Sequence, residues 1–177
     1  MFKLKAFINK SIQEVSSRPP PGITAVAVFF YGPPPALADI SALAVGADVA
    51  VKNEDGKTRI HVTWSDVNTI ITIDPNWDKA QQMEGMRGWV ERFPQHVRAL
   101  PDVAKMIESF DDVSACYGTV SKPGLDVDNK VVNLLKALLG SDGGFFFSRN
   151  SFYGTDALRI TGFSEDPMWL GTPPAAT

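Results

Sequence analysis

The chain is poor in the residues that most often carry chemistry: one cysteine, Cys116, and two histidines, His61 and His96, among 177 residues. A lone cysteine excludes an internal disulfide, which leads us to expect a reducing compartment, the cytoplasm. Two isolated histidines and one cysteine do not make a zinc-ligand spacing, so no metal or cofactor is expected. No apolar stretch approaches the roughly 18 residues of a membrane-crossing helix. The N-terminus lacks the continuous apolar core of a secretory signal. Positive charge is not in excess either, since 17 Lys and Arg against 20 Asp and Glu leave a net charge of -3. Nucleic-acid binding through phosphate neutralisation needs concentrated Lys and Arg, so no nucleic-acid partner is expected. Walker A and GxGxxG phosphate loops are missing as well.

What the sequence does contain is a layout that occurs twice. Thr24 to Tyr31 reads as a strand, followed by a proline-rich loop and a short apolar segment closing at Gly46-Ala47-Asp48. Two strands follow around a turn. Later, Val113 to Val120 leads through Lys122-Pro123-Gly124 into a helix closing at Gly140-Ser141-Asp142, and again two strand-like runs follow. Both halves, about 24–64 and 113–161, read β-α-β-β. The expected fold is therefore α+β, a mostly antiparallel sheet of about seven strands with helices packed on one side. The two units are expected in a pseudo-two-fold arrangement. A single domain over 22–162 is flanked by an N-terminal amphipathic helix (1–18) and a tail (163–177). In that helix Leu4, Ile8, Ile12 and Val15 share one face, with Lys3, Lys5 and Lys10 elsewhere. Arg18-Pro19-Pro20-Pro21-Gly22 ends it.

The strongest local pattern runs from Asp48 to Asp74. Asp55-Gly56 is a hairpin signal, because a type I′ turn needs positive φ at both central positions. A turn there sets Val51 opposite Ile60, Val49 opposite Val62 and Lys52 opposite Arg59. A second turn around Ser65-Asp66 sets Val67 opposite Trp64 and Ile71 opposite Ile60. Both turns give one inward face: Val49, Val51, Ile60, Val62, Trp64, Val67 and Ile71. His61 then points to the other face, near Ala50 and Ile70. Lys52 opposite Arg59 is a like-charge pair.

Further on, Met83, Met86, Val90 and Phe93 recur at helical spacing beside Trp89. Gly85 and Gly88 weaken that helix and suggest close packing. A second short helix begins at Asp102. The most regular helix spans Asp128 to Leu139, with Asp126 or Asp128 as cap and Gly140 at its end. Asp126, Asp128 and Asn129 begin like a calcium loop, but Val131 and Ala137 stand where the EF-hand needs glycine and glutamate. Phe145-Phe146-Phe147 suits a strand covered on both faces.

No constellation identifies an activity. Cys116 and one histidine form a conceivable nucleophilic pair without any flanking signature, so a cysteine-dependent hydrolase ranks last. The leading expectation is a non-catalytic protein-binding or regulatory module, of the adaptor, inhibitor or toxin-neutralising type, with a protein partner. Phe152, beside Arg149-Asn150-Ser151, and Trp169 in the tail are its candidate contacts. Such a module should expose an apolar patch rimmed by polar groups. The alternative is a small-molecule binding domain with its site between the half-units, lined by Trp77, Trp89, Tyr117 and Arg149.

Overall fold

The computed structural model describes residues 24–122, 129–148 and 151–162. The expected N-terminal helix, the tail with Trp169, Asp126, Asp128 and Arg149 lie outside them. Eight strands form one sheet: β1 (Thr24–Phe30), β2 (Asp48–Glu54), β3 (Lys57–Thr63), β4 (Asn68–Ile73), β5 (Ala115–Lys122), β6 (Gly144–Ser148), β7 (Ser151–Tyr153) and β8 (Arg159–Gly162). Their order is β2-β3-β4-β5-β1-β6-β7-β8, and every neighbouring pair is antiparallel. Among the described residues five helices accompany them: α1 (Leu37–Leu43), α2 (Lys79–Val90), α3 (Gln95–Arg98), α4 (Pro101–Glu108) and α5 (Asn129–Leu139). A 3-10 turn over Ser109–Asp112 extends α4. The class is α+β, as the sequence predicts.

The β2-β3-β4 meander follows the predicted register, with Val51↔Ile60, Val49↔Val62 and Ile60↔Ile71. Asp55 and Gly56 carry φ of 53° and 74°, the positive pair that the hairpin demands. The Lys52–Arg59 juxtaposition is relieved locally. Arg59 Nη1 reaches Glu54 Oε2 at 2.5 Å and Nη2 lies 3.5 Å from Asp55. Val51 faces inward but remains 47% exposed, because β2 is the sheet edge.

Helices cover both faces of the sheet, which corrects the expectation of a single helical side. On the first face, Val26, Val28 and Phe30 of β1 pack with Ile60, Val62, Ile71 and Phe146. Ile40 of α1 and Val131, Leu134, Leu135 and Leu138 of α5 close that core. On the second face, Phe29, Phe145, Phe147 and Phe152 meet Met83, Met86, Trp89 and Val90 of α2 and Val103 and Met106 of α4. The physical reason lies in β1 and β6. Phe29 alternates against Val28 and Phe30, and Phe145 and Phe147 against Phe146, so both sides of these central strands need burial. All three residues of the Phe145–Phe147 run are buried, as predicted.

The expected two-fold relation between the half-units gains no support from the topology. Strands β5 and β6, joined by α5, are separated by β1 alone, whereas β1 and β2, joined by α1, are separated by β3, β4 and β5. Strands β6 and β7 pair with Ser148 opposite Ser151. Between β7 and β8, Gly154 to Leu158 form a closed loop. There the Gly154 N–H donates to Leu158 O at 2.8 Å, and Ala157, at φ 69°, donates to Gly154 O at 2.9 Å.

Candidate functional site

Half of the second sheet face has no helix over it among the described residues. The register sets Ala50 opposite His61, His61 opposite Ile70, Ile70 opposite Val120 and Val120 opposite Ala25. These five side chains form one row across β2, β3, β4, β5 and β1, about 19 Å long at the ordinary strand spacing. Ala50 and Val120 are exposed, Val120 at 43%, while His61, Ile70 and Ala25 are half-buried. The neighbouring row on one side is Lys52, Arg59, Thr72 and Gly118, and on the other Asp48, Thr63, Asn68 and Lys122. An apolar strip is thus rimmed by polar and charged residues on both sides. His61 Nε2 is enclosed in the strip without a hydrogen-bond partner, an arrangement that costs free energy.

The aromatic residues singled out from the sequence lie elsewhere. Phe152 is 0% exposed and stacks within the second core, 4.9 Å from Phe147 and 6.0 Å from Phe145 between ring centroids. Its expected place at an exposed contact is corrected by that burial. Trp89 is buried in the same core, 5.4 Å from Phe147 and 5.0 Å from Phe93. Trp77 is half-buried against it, with Nε1 enclosed and unpartnered. Tyr117 belongs to the opposite core, where it meets Phe30 edge-on at 4.8 Å. Burial raises its hydroxyl pKa. The sheet therefore separates Tyr117 from Trp77 and Trp89, and these three do not line one pocket.

Cys116 and His61 share the second face, yet they do not meet. His61 is level with Val120, so Cys116 stands two strands over and four residues along, roughly 17 Å away by strand geometry. Cys116 keeps part of its surface exposed, but the packing around it pushes the thiol pKa well above its ordinary value. Desolvation disfavours the thiolate that nucleophilic attack requires. His96 is exposed on α3, away from the thiol's strand. Among the described residues, no group of three or more His, Cys, Asp or Glu is placed to hold a metal ion. No described helix is long and apolar enough to cross a membrane.

A second concavity lies at the far end of the helical layer. Tyr31, after β1, and Met106 and Ser109, at the end of α4, form its back; the Gly154 to Leu158 loop and Ile160 form its wall. Its volume is about 600 Å³. Tyr31 Oη and Ser109 Oγ lie 2.6 Å apart, and Ser109 Oγ also donates to Met106 O at 2.7 Å. Burial, opposed by the Ser109 hydrogen bond and aided by Asp112, raises the Tyr31 pKa and keeps the phenol neutral. Asp102, Lys105, Thr155 and Asp156 add polar groups at the opening. Gly144 lines the groove where a Cβ would collide with the Phe29 carbonyl oxygen.

Sequence patterning found three members of the strip, Ala50, His61 and Ile70, because the hairpin register fixes which side chains share a face. It missed Val120 and Ala25, since pairing of β4 with β5 and of β5 with β1 is non-local. No protein-family profile, curated protein or solved structure matches the chain.

Proposed function

We propose that this chain is a protein-binding or regulatory module, and that its contact surface is the strip Ala50–His61–Ile70–Val120–Ala25. The observation that carries this reading is the apolar row with polar rows on either side. That is the anatomy of an interface, in which an apolar centre excludes water and a charged rim sets orientation. The position of the Cys116 thiol, apart from His61 and disfavoured as a thiolate, supports a non-catalytic role over cysteine chemistry. The test is capture from a lysate with the full chain and with an Ile70→Lys, Val120→Lys variant. A stoichiometric protein retained by the first and lost by the second supports the reading. An unchanged set of captured proteins overturns it.

A second reading rests on the Tyr31–Ser109 groove. Its volume falls in the range of small-ligand sites, about 300 to 1,000 Å³, and it combines apolar walls with hydroxyl, carboxylate and ammonium groups. Under this reading a metabolite raises the melting temperature of the wild type and not of a Lys105→Glu, Asp156→Lys variant.

A further inference from the structure

We infer that the strip has an occupant in the same chain: residues 2–17, packed as an amphipathic helix across β2 to β5. This rests on the reading of the strip as a docking surface and names the shape of partner that fits it, a helix with apolar residues on one face. It also adds regulation, because an external partner has to displace the chain's own segment.

Three observations on different levels point to it. The first is position. Thr24 pairs with Ser121 at the end of β1, and the next residue, Ala25, is the last member of the strip. Residues 1–23 therefore join the sheet one residue from the surface they are to cover. The second is length. Sixteen helical residues measure about 24 Å, enough to span the row of five strands, about 19 Å at the ordinary strand spacing. Pro19, Pro20, Pro21, Gly22 and Ile23 provide a reach of about 16 Å for reversing direction. The third is pattern. Leu4, Ile8, Ile12 and Val15 fall on one helical stripe, and the strip offers a matching apolar row of small and branched side chains. At Gly118 an added Cβ would meet nothing within 4 Å, which leaves a depression beside Val120 into which a side chain can settle.

A photo-cross-linking residue in place of Val120 tests this in the full chain at dilute concentration. The expected product is an intrachain cross-link to residues 2–17, read by peptide mass spectrometry. Substituting Ile8→Asp with Ile12→Asp should abolish it and raise binding of a hydrophobic dye several-fold. A Lys5→Glu, Lys10→Glu variant, changed on the other face, should leave both readouts as in the wild type. Cross-links to a second copy or another protein, or no cross-link, would overturn the inference while leaving the docking surface to be judged by capture. An intrachain cross-link with capture unaffected by Ile70→Lys and Val120→Lys would uphold the inference and sink the external-partner reading.

Discussion

The second sheet face has two halves that meet at β1, and they differ in what the strands offer. In the row through Ala27, the residues toward β2 are Gly118, Thr72, Arg59 and Lys52, whereas those toward β8 are Phe147 and Phe152. Side-chain volume and polarity change within one ladder step. On the aromatic half, α2, α4 and the 3-10 turn supply Met86, Trp89, Met106 and Phe110, and the rings of Phe29 and Phe145 stack at 4.6 Å. Arg87 lies over the Phe110 ring at 5.8 Å and pairs with Asp111 at 2.7 Å, and Lys79 Nζ donates to Asp111 O at 2.7 Å. Those contacts fasten the helical layer at its surface. The other half carries alanine, glycine and scattered aliphatic groups, and no described helix supplies such aromatic or methionine side chains over it. The lesson is that one sheet face is buried core where it is aromatic and stays partly exposed where it is small and rimmed by charge.

Substitutions can break this contrast, and the largest effect belongs to the aromatic half. Phe145→Ala should cost about 3–5 kcal/mol, as for other fully buried phenylalanines, read by urea denaturation. On the open half, Ile70→Ala should cost about 1 kcal/mol, because the side chain is only half-buried. Equal losses at the two positions would contradict the division of the face. Gly88→Ala should stabilise by about 0.5–1 kcal/mol. Gly88 is helical, and a Cβ there meets nothing within 4 Å, so the close packing expected of it from the sequence does not occur. A thermal melt of this variant checks whether the α2 surface is free.

The smallest effect concerns the first face. Lys130 of α5 bonds Asp66 at 2.7 Å in the β3–β4 turn and holds the carboxyl pKa below its usual value. At Asp74 burial opposes ionisation, but the hydrogen bond from Lys57, at 2.8 Å, the Asn76 N–H and the Lys57 charge outweigh it, and the pKa is again lowered. Folded pKa values below the unfolded ones give stability that is present above the ordinary carboxylate range, near pH 4, and lost as pH falls through the folded values. Asp66→Asn and Asp74→Asn should therefore flatten the acid limb of the stability profile slightly. Stability at pH 7 changes little, since exposed ion pairs contribute little.

Local chemistry made the meander readable. Asp55-Gly56 fixes a turn, the turn fixes the register, and the register decides which side of β3 His61 occupies. The helix over Asn129–Leu139 was legible for a similar reason, a continuous apolar stripe with Gly140 after it, at φ 57°. What could not be read was placement across long chain separations. Nothing local to Thr24–Phe30 says that β1 is central, or that β5 and β6 flank it. Without that order, Phe152 looks like a surface contact, Tyr117 looks like a neighbour of Trp77 and Trp89 in one pocket, and the helices look confined to one side. The candidate site divides the same way: Ala50, His61 and Ile70 follow from the hairpins, while Val120 and Ala25 complete the row only through the pairing of β5. The groove was invisible, because Tyr31, Ser109 and Leu158 share no motif and converge only in the folded chain.

The most direct measurement is carbene footprinting of the full chain beside its Ile8→Asp, Ile12→Asp variant. Ile70 and Val120 should label weakly in the first and several-fold more in the second, with Phe145 and Phe152 unlabelled in both. Labelling of Ile70 and Val120 that does not change, or Phe145 and Phe152 that label alongside them, would contradict the account.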